Sequence, residues 1–221
     1  MINTIEKTVT QAEAERAFIG ETKKIGILGG TFNPPHVGHL VIAEQVADKL
    51  GLDKVYFMPN AKPPHVDVKQ AIDPLHRAKM VQAAIAGNSR FGIELLEVQR
   101  GGKSYTYNTM LQLKVEHPNY EYYFIIGGDE VAYLKTWYRI DDLLKLVHFV
   151  GVNRPGQPRV TDYPVEWVEV PNLEISSTDI RKRIANKQSV RYLLPDMVAA
   201  YIVEKGLYMD DKRDDLSGPL L

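Results

Sequence analysis

Between Gly29 and Leu40 the chain reads Gly-Gly-Thr-Phe-Asn-Pro-Pro-His-Val-Gly-His-Leu, its densest cluster of residues able to do chemistry. Two glycines at the end of an apolar run let a ligand approach the backbone, and a helix opening just after them offers unpaired N–H groups and a positive dipole end to an anion. His36 and His39, three residues apart, project on one face of such a helix start. Phosphate is the ligand this arrangement suits. The plainer readings are a tight turn for the glycine pair and a surface pair for the histidines. A zinc site needs a third ligand, and neither a cysteine nor a His-Glu-x-x-His pattern supplies one. The dinucleotide-binding Gly-x-Gly-x-x-Gly is absent too. Gly102-Lys103-Ser104 resembles the end of a Walker A loop, but Glu97 stands where its first glycine belongs.

The elements that position this cluster are legible as short apolar runs alternating with helical patterns, the signature of βαβ units on a parallel sheet. Lys23 to Leu28 runs into Gly29-Gly30, Lys54 to Met58 stops at Pro59, and Tyr122 to Ile126 stops at Gly127-Gly128. Phe91–Leu95, His148–Val152 and Glu166–Val170 bring the expected strands to six. Asp73 before Pro74 predicts a helix start, N-cap then proline, with Gly87-Asn88 closing the helix. Leu40, Ala43, Val46, Ala47 and Leu50 recur at helical spacing up to Gly51. Ser176 or Ser177 caps a helix over Ile180–Ala185, and Pro195 starts one running to Gly206. In α/β sheets of this kind ligands bind at the carboxyl ends of the strands, where the glycine pair lies.

At 221 residues the chain makes one large domain or one with a small appendage; the division read here is an extension over 1–22, a core over 23–208 and a charged tail over 209–221. Lys and Arg total 27 against 28 Asp and Glu, so there is no basic field to hold nucleic acid. The absence of cysteine excludes thiolate chemistry and disulfides and fits a reducing compartment, so the cytoplasm is expected. No apolar run is long enough for a membrane span, and the first 24 residues do not read as a signal peptide.

The segment GGTFNPPHVGHL resembles the glycine-turn and His-x-Gly-His signature of the nucleotidyltransferase superfamily, and Ile175-Ser176-Ser177-Thr178-Asp179-Ile180-Arg181 resembles its Ser-Ser-Thr-x-x-Arg element, about 140 residues later. The intervening segments narrow the resemblance to the bacterial nicotinate-nucleotide adenylyltransferases: Lys62-Pro63-Pro64-His65, Glu97-Val98-Gln99-Arg100, Ser104-Tyr105-Thr106, Ile126-Gly127-Gly128-Asp129, Trp137, Arg154-Pro155-Gly156 and Ser189 to Leu193. It covers about Lys24 to Tyr208. Asn33 and Asn108 stand where that family often has Asp; each keeps an acceptor oxygen and loses a charge, so a capping role would survive at Asn108.

The resemblance implies a Rossmann-like open parallel sheet with helices on both faces and a small C-terminal helical part. It implies adenylyl transfer from ATP to nicotinate mononucleotide, with magnesium held mainly by substrate phosphates and water rather than by protein ligands. His36, His39 and Arg181 are then the catalytic set. Gly29, Gly30, Thr31, Phe32, Gly127, Asp129, Ser176, Ser177 and Thr178 join them around ATP, and Lys62, Thr106, Trp137 and Tyr138 hold the mononucleotide. Several have plainer readings: Asp129 and Thr106 as helix caps, Trp137 as a core residue, Lys62 as a solvated loop lysine, His76 and His148 as structural. Two rival functions share the same hallmarks, a sister enzyme such as phosphopantetheine adenylyltransferase and a nucleotide-binding regulator without catalysis. A homo-oligomer is left open.

Overall fold

The computed structural model describes residues 21–62, 71–153 and 161–209. Six parallel strands form one sheet in the order β3-β2-β1-β4-β5-β6, with β1 at Lys23–Gly30, β2 at Lys54–Pro59, β3 at Phe91–Ile93, β4 at Tyr120–Gly127, β5 at Val147–Asn153 and β6 at Val165–Glu169. All six expected strands are present; the third is shorter than its apolar run because Leu95 already leads into a helix. The order reverses between β1 and β4, so the carboxyl ends Gly29-Gly30 and Gly127 flank a crevice, the usual ligand position in such sheets.

Alternation along the strands builds a core on each face. Ile25, Ile27, Tyr122, Phe124 and Ile126 pack to one side with Met110, Leu113, Leu143 and Phe149. Leu28, Tyr123 and Ile125 pack to the other with Val46, Phe57, Val81 and Val150.

The first helices are α1 at Val37–Leu50, ended by Gly51 in the left-handed conformation, and α2 at Pro74–Ile85, whose N-cap Asp73 accepts from the Leu75 N–H at 2.7 Å. Next come the short α3 at Leu96–Arg100, α4 at Thr106–Glu116, and the four-residue α5 at Gly128–Val131 and α6 at Ile140–Leu143. The C-terminal part holds α7 at Ser177–Ala185 and α8 at Asp196–Glu204, which pack through Ile180, Val198 and Ile202 on Met80 and Ala84 of α2.

Two cap readings are corrected and a third is decided between its alternatives. Tyr105 occupies the N-cap of α4, so Thr106 is the first helical residue and Asn108 the third. Gly127 precedes α5, which puts Asp129 one place inside it. Of the two serines offered for α7, Ser176 is the cap, accepting from the Asp179 N–H at 3.1 Å.

Candidate active site

His36 is the N-cap of α1 and His39 its third residue, and that spacing explains the pair. At N-cap and third position a side chain can reach back to the N-cap amide, as Glu does in a capping box. Here the His36 N–H donates to Nδ1 of His39 at 3.1 Å, and the rings lie 3.7 Å apart between centroids. With Nδ1 accepting, the neutral ring carries its proton on Nε2. Burial, then the neighbouring His36, hold the His39 imidazole well below its ordinary value of 6.5, so it is neutral near pH 7. Gly38 makes room for the arrangement, since a Cβ there would stand 3.0 Å from the His36 Nδ1.

His36, Gly38 and His39 line a cleft of about 300 Å³ with Gly127, Asp129, Ser176 and Ser177. The beginnings of α1 and α7 therefore meet at one cavity, and each brings backbone N–H groups and a positive dipole end. The Asp129 carboxylate lies back over Gly127, where a Cβ would come within 2.5 Å of its Oδ1. Val152, Val170, Pro171, Leu173 and Ile175 form an apolar wall that the sequence reading missed. The residue pair Pro171-Asn172, just past a strand end, was the signal available for it.

The Asn33-Pro34 segment is fastened to the C-terminal part. Ser177 Oγ donates to the Pro34 carbonyl at 2.8 Å, Arg181 to the Asn33 carbonyl at 3.0 Å and to Thr178 Oγ1 at 3.3 Å, and Tyr208 Oη to Asn33 Oδ1 at 2.8 Å. Arg181 is buried and does not line the cleft, nor does Thr178. Phe32 is a core residue, 2% exposed, whose ring packs edge-on against His39 at 5.0 Å. It supports the histidine instead of touching the cavity. Gly29, Gly30 and Thr31 lie beside the cleft, outside its lining. Thr31 turns its carbonyl to Arg77 at 2.7 Å.

The four residues read as holding the mononucleotide lie outside the cleft lining. Lys62 is exposed and bridges to Lys103, and Thr106 opens α4 beside Tyr105. Tyr138, half exposed, lies 4.9 Å from the Tyr105 ring. Trp137 is half-buried edge-on to Phe124 and Phe149, both at 5.9 Å, so its packing role is real. Residues 63–65 and 154–156 of the quoted motifs lie outside the described residues. His76 bonds Tyr201 at 2.9 Å and His148 pairs with Glu121 at 3.0 Å, and neither lines the cleft.

The cytidylyltransferase-like family model matches residues 27–183. The sequence is 56% identical over 207 residues to a protein of Lactiplantibacillus plantarum named "Probable nicotinate-nucleotide adenylyltransferase", covering 94% of this chain and 98% of that one. A protein of the same name from Enterococcus faecalis is 56% identical over 189 residues, 86% of each chain. The fold is similar to that of Plasmodium falciparum nicotinic acid mononucleotide adenylyltransferase complexed with NaAD, with a TM-score of 0.69 at 21% identity over 84% of this chain and 97% of that one.

Proposed function

We infer how this site works from its membership: the chain belongs to the cytidylyltransferase-like family and, within it, to the nicotinate-nucleotide adenylyltransferases. Its reaction is adenylyl transfer from ATP to nicotinate mononucleotide, giving nicotinate adenine dinucleotide and pyrophosphate. A 5'-phosphate oxygen of the mononucleotide bonds to the α-phosphorus of ATP while the bond from that phosphorus to the pyrophosphate oxygen breaks. The nucleophile has a second pKa of about 6, so it is largely dianionic at neutral pH and no general base is needed. The remaining work is to position two polyanions and to stabilise the charge that moves onto pyrophosphate.

The observation that carries the assignment of ATP to the cleft is the meeting of the α1 and α7 N-termini there, with His36 and His39 between them. The His39 Nε2–H is a donor fixed in advance by the bond at Nδ1. His36 stands beside it. Ser176 and Ser177 bring the first turn of α7 to the phosphates, and the apolar wall around Val170 and Leu173 suits a flat base. Arg181 lends its charge from behind the Asn33-Pro34 segment while holding that segment in place.

Among the described residues no three His, Asp or Glu side chains gather to hold a metal ion, and Asp129 is the one carboxylate lining the cleft. A magnesium ion carried in on the triphosphate would keep phosphate and water ligands and would offset phosphate charge, with Asp129 the carboxylate placed to reach its water shell. Among the described residues no helix is long and apolar enough to cross a membrane.

The test is pyrophosphate release from ATP across a panel of acceptors: nicotinate mononucleotide, nicotinamide mononucleotide and phosphopantetheine. Turnover is expected with the first. Turnover with phosphopantetheine alone would assign the chain to the sister reaction, and none with any acceptor would leave a nucleotide-binding protein.

A further inference from the structure

Arg77 is fully buried and its guanidinium is shared among backbone carbonyls. It donates to Thr31 O at 2.7 Å, Asn60 O at 2.6 Å, Ala61 O at 2.9 Å and Ile72 O at 3.1 Å, and to Asn60 Oδ1 at 3.3 Å. It thereby ties the loop after β1 to the loop after β2. Burial pulls its pKa down, opposed in part by Tyr208 and Asp73.

From the other side, the Ala61 N–H donates to the buried Ser104 Oγ at 3.2 Å, and the Ser104 N–H donates to the Lys62 carbonyl at 3.2 Å. The Ser104 hydroxyl also bonds Glu97, a carboxyl 4% exposed that accepts from Thr109 Oγ1 at 3.0 Å. Arg100 donates to the same Thr109 oxygen at 3.1 Å. Ala61 is thus the joint, with its carbonyl on Arg77 and its amide on Ser104. Immediately beyond lie Lys62 on one strand of this junction and Tyr105-Thr106 on the other.

We propose that Ser104 is a positioning residue for the mononucleotide: held between Glu97 and the Ala61 amide, it sets residues 60–62, clamped from behind by Arg77, against residues 104–106. The inference rests on the reading that Lys62 and Thr106 face the mononucleotide while the α1–α7 cleft takes ATP. Residues of the junction make no part of that cleft. Losing the hydroxyl leaves a buried amide and a buried carboxyl each short of a partner, which loosens the seat of one substrate only.

The test compares Ser104→Ala, Ser104→Thr and Arg77→Lys with the parent in pyrophosphate release, together with calorimetric binding of nicotinate mononucleotide in the absence of ATP. Ser104→Ala is expected to raise KM and Kd for the mononucleotide about tenfold, a shift of about 1.4 kcal/mol. The KM for ATP and kcat should stay within about twofold. Ser104→Thr, which keeps the hydroxyl, should recover part of the loss. Arg77→Lys, able to serve fewer carbonyls, should shift the same constant. A lowered Tm with both KM values unchanged, or equal rises in both, would overturn the proposal and make the junction structural. A parent that turns over without the mononucleotide Kd moving in Ser104→Ala would overturn it too, leaving the functional reading intact. A parent inactive with nicotinate mononucleotide would undo that reading instead.

Discussion

The N–H of His36 donates to Nδ1 of His39 at 3.1 Å, so the backbone at the start of α1 fixes the tautomer of the ring three residues later. The bond ties the proton inventory of the site to the helix geometry. A protonated His39 would set two N–H groups against each other at that contact.

The first prediction concerns pH. Burial and His36 lower the His39 pKa below its unfolded value of 6.5, so the unfolded chain takes up this proton first. Stability from this group is whole above about pH 6.5 and is lost as pH falls from there through the folded-state value. Melting temperature followed from pH 8 down to pH 5 should therefore drop more steeply in the parent than in His39→Gln. Parallel curves would show that His39 does not titrate in this way.

His36→Ala and His39→Ala should each lower kcat by about 100- to 1,000-fold, the usual loss when a preorganised donor to developing charge is removed. Single-turnover rates at saturating ATP measure it. Normal chemistry with weakened ATP binding would make the histidines binding groups only.

Arg181→Ala should mainly raise KM for ATP, because both its charge and its bond to the Asn33 carbonyl act before the chemical step. Arg181→Lys should rescue in part, since an ammonium keeps the charge but not the fork that reaches Asn33 and Thr178 together. An unchanged KM with a lowered Tm would make the residue purely structural.

Tyr208→Phe should cost about 1 kcal/mol of stability, the usual net worth of a buried hydrogen bond. The lost bond is the 2.8 Å contact from Tyr208 Oη to Asn33 Oδ1, whose amide oxygen also accepts from the Ile72 N–H at 3.4 Å. The family's frequent Asp is not required for either contact. Denaturant unfolding checks the value.

These residues also show what the sequence could reveal. The six strands and the caps at Asp73 and Ser176 are local events, written in apolar runs and short-range bonds, and they were legible. The four- and five-residue helices α3, α5 and α6 are too short to show a period. No local pattern singles out Arg77; its meaning appears only when the loops bearing Thr31 and Asn60 close over it. The cleft behaves likewise. His36, His39, Asp129 and Ser176 were found because their motifs stand out, whereas the wall from Val170 to Ile175 is assembled from ordinary apolar residues by the sheet. Phe32 and Arg181 stand in the same motifs yet point into packing, since a motif marks a segment and not the direction of each side chain.

The proposed site is split, with ATP at the α1–α7 cleft and the pyridine near Thr106, Trp137 and Tyr138. A carboxylate accepts hydrogen bonds at both oxygens, whereas the amide of nicotinamide presents a donor at one of them, so a seat made of backbone N–H groups near Thr106 and Tyr138 meets donor with donor. Trp137→Ala should weaken both mononucleotides without reversing the preference, because the ring is common to them. The most direct measurement is kcat/KM for nicotinate mononucleotide against nicotinamide mononucleotide at saturating ATP. The account predicts a ratio of about 10,000 in favour of nicotinate, the discrimination open to a site committed to a polar partner; a ratio near one would contradict it.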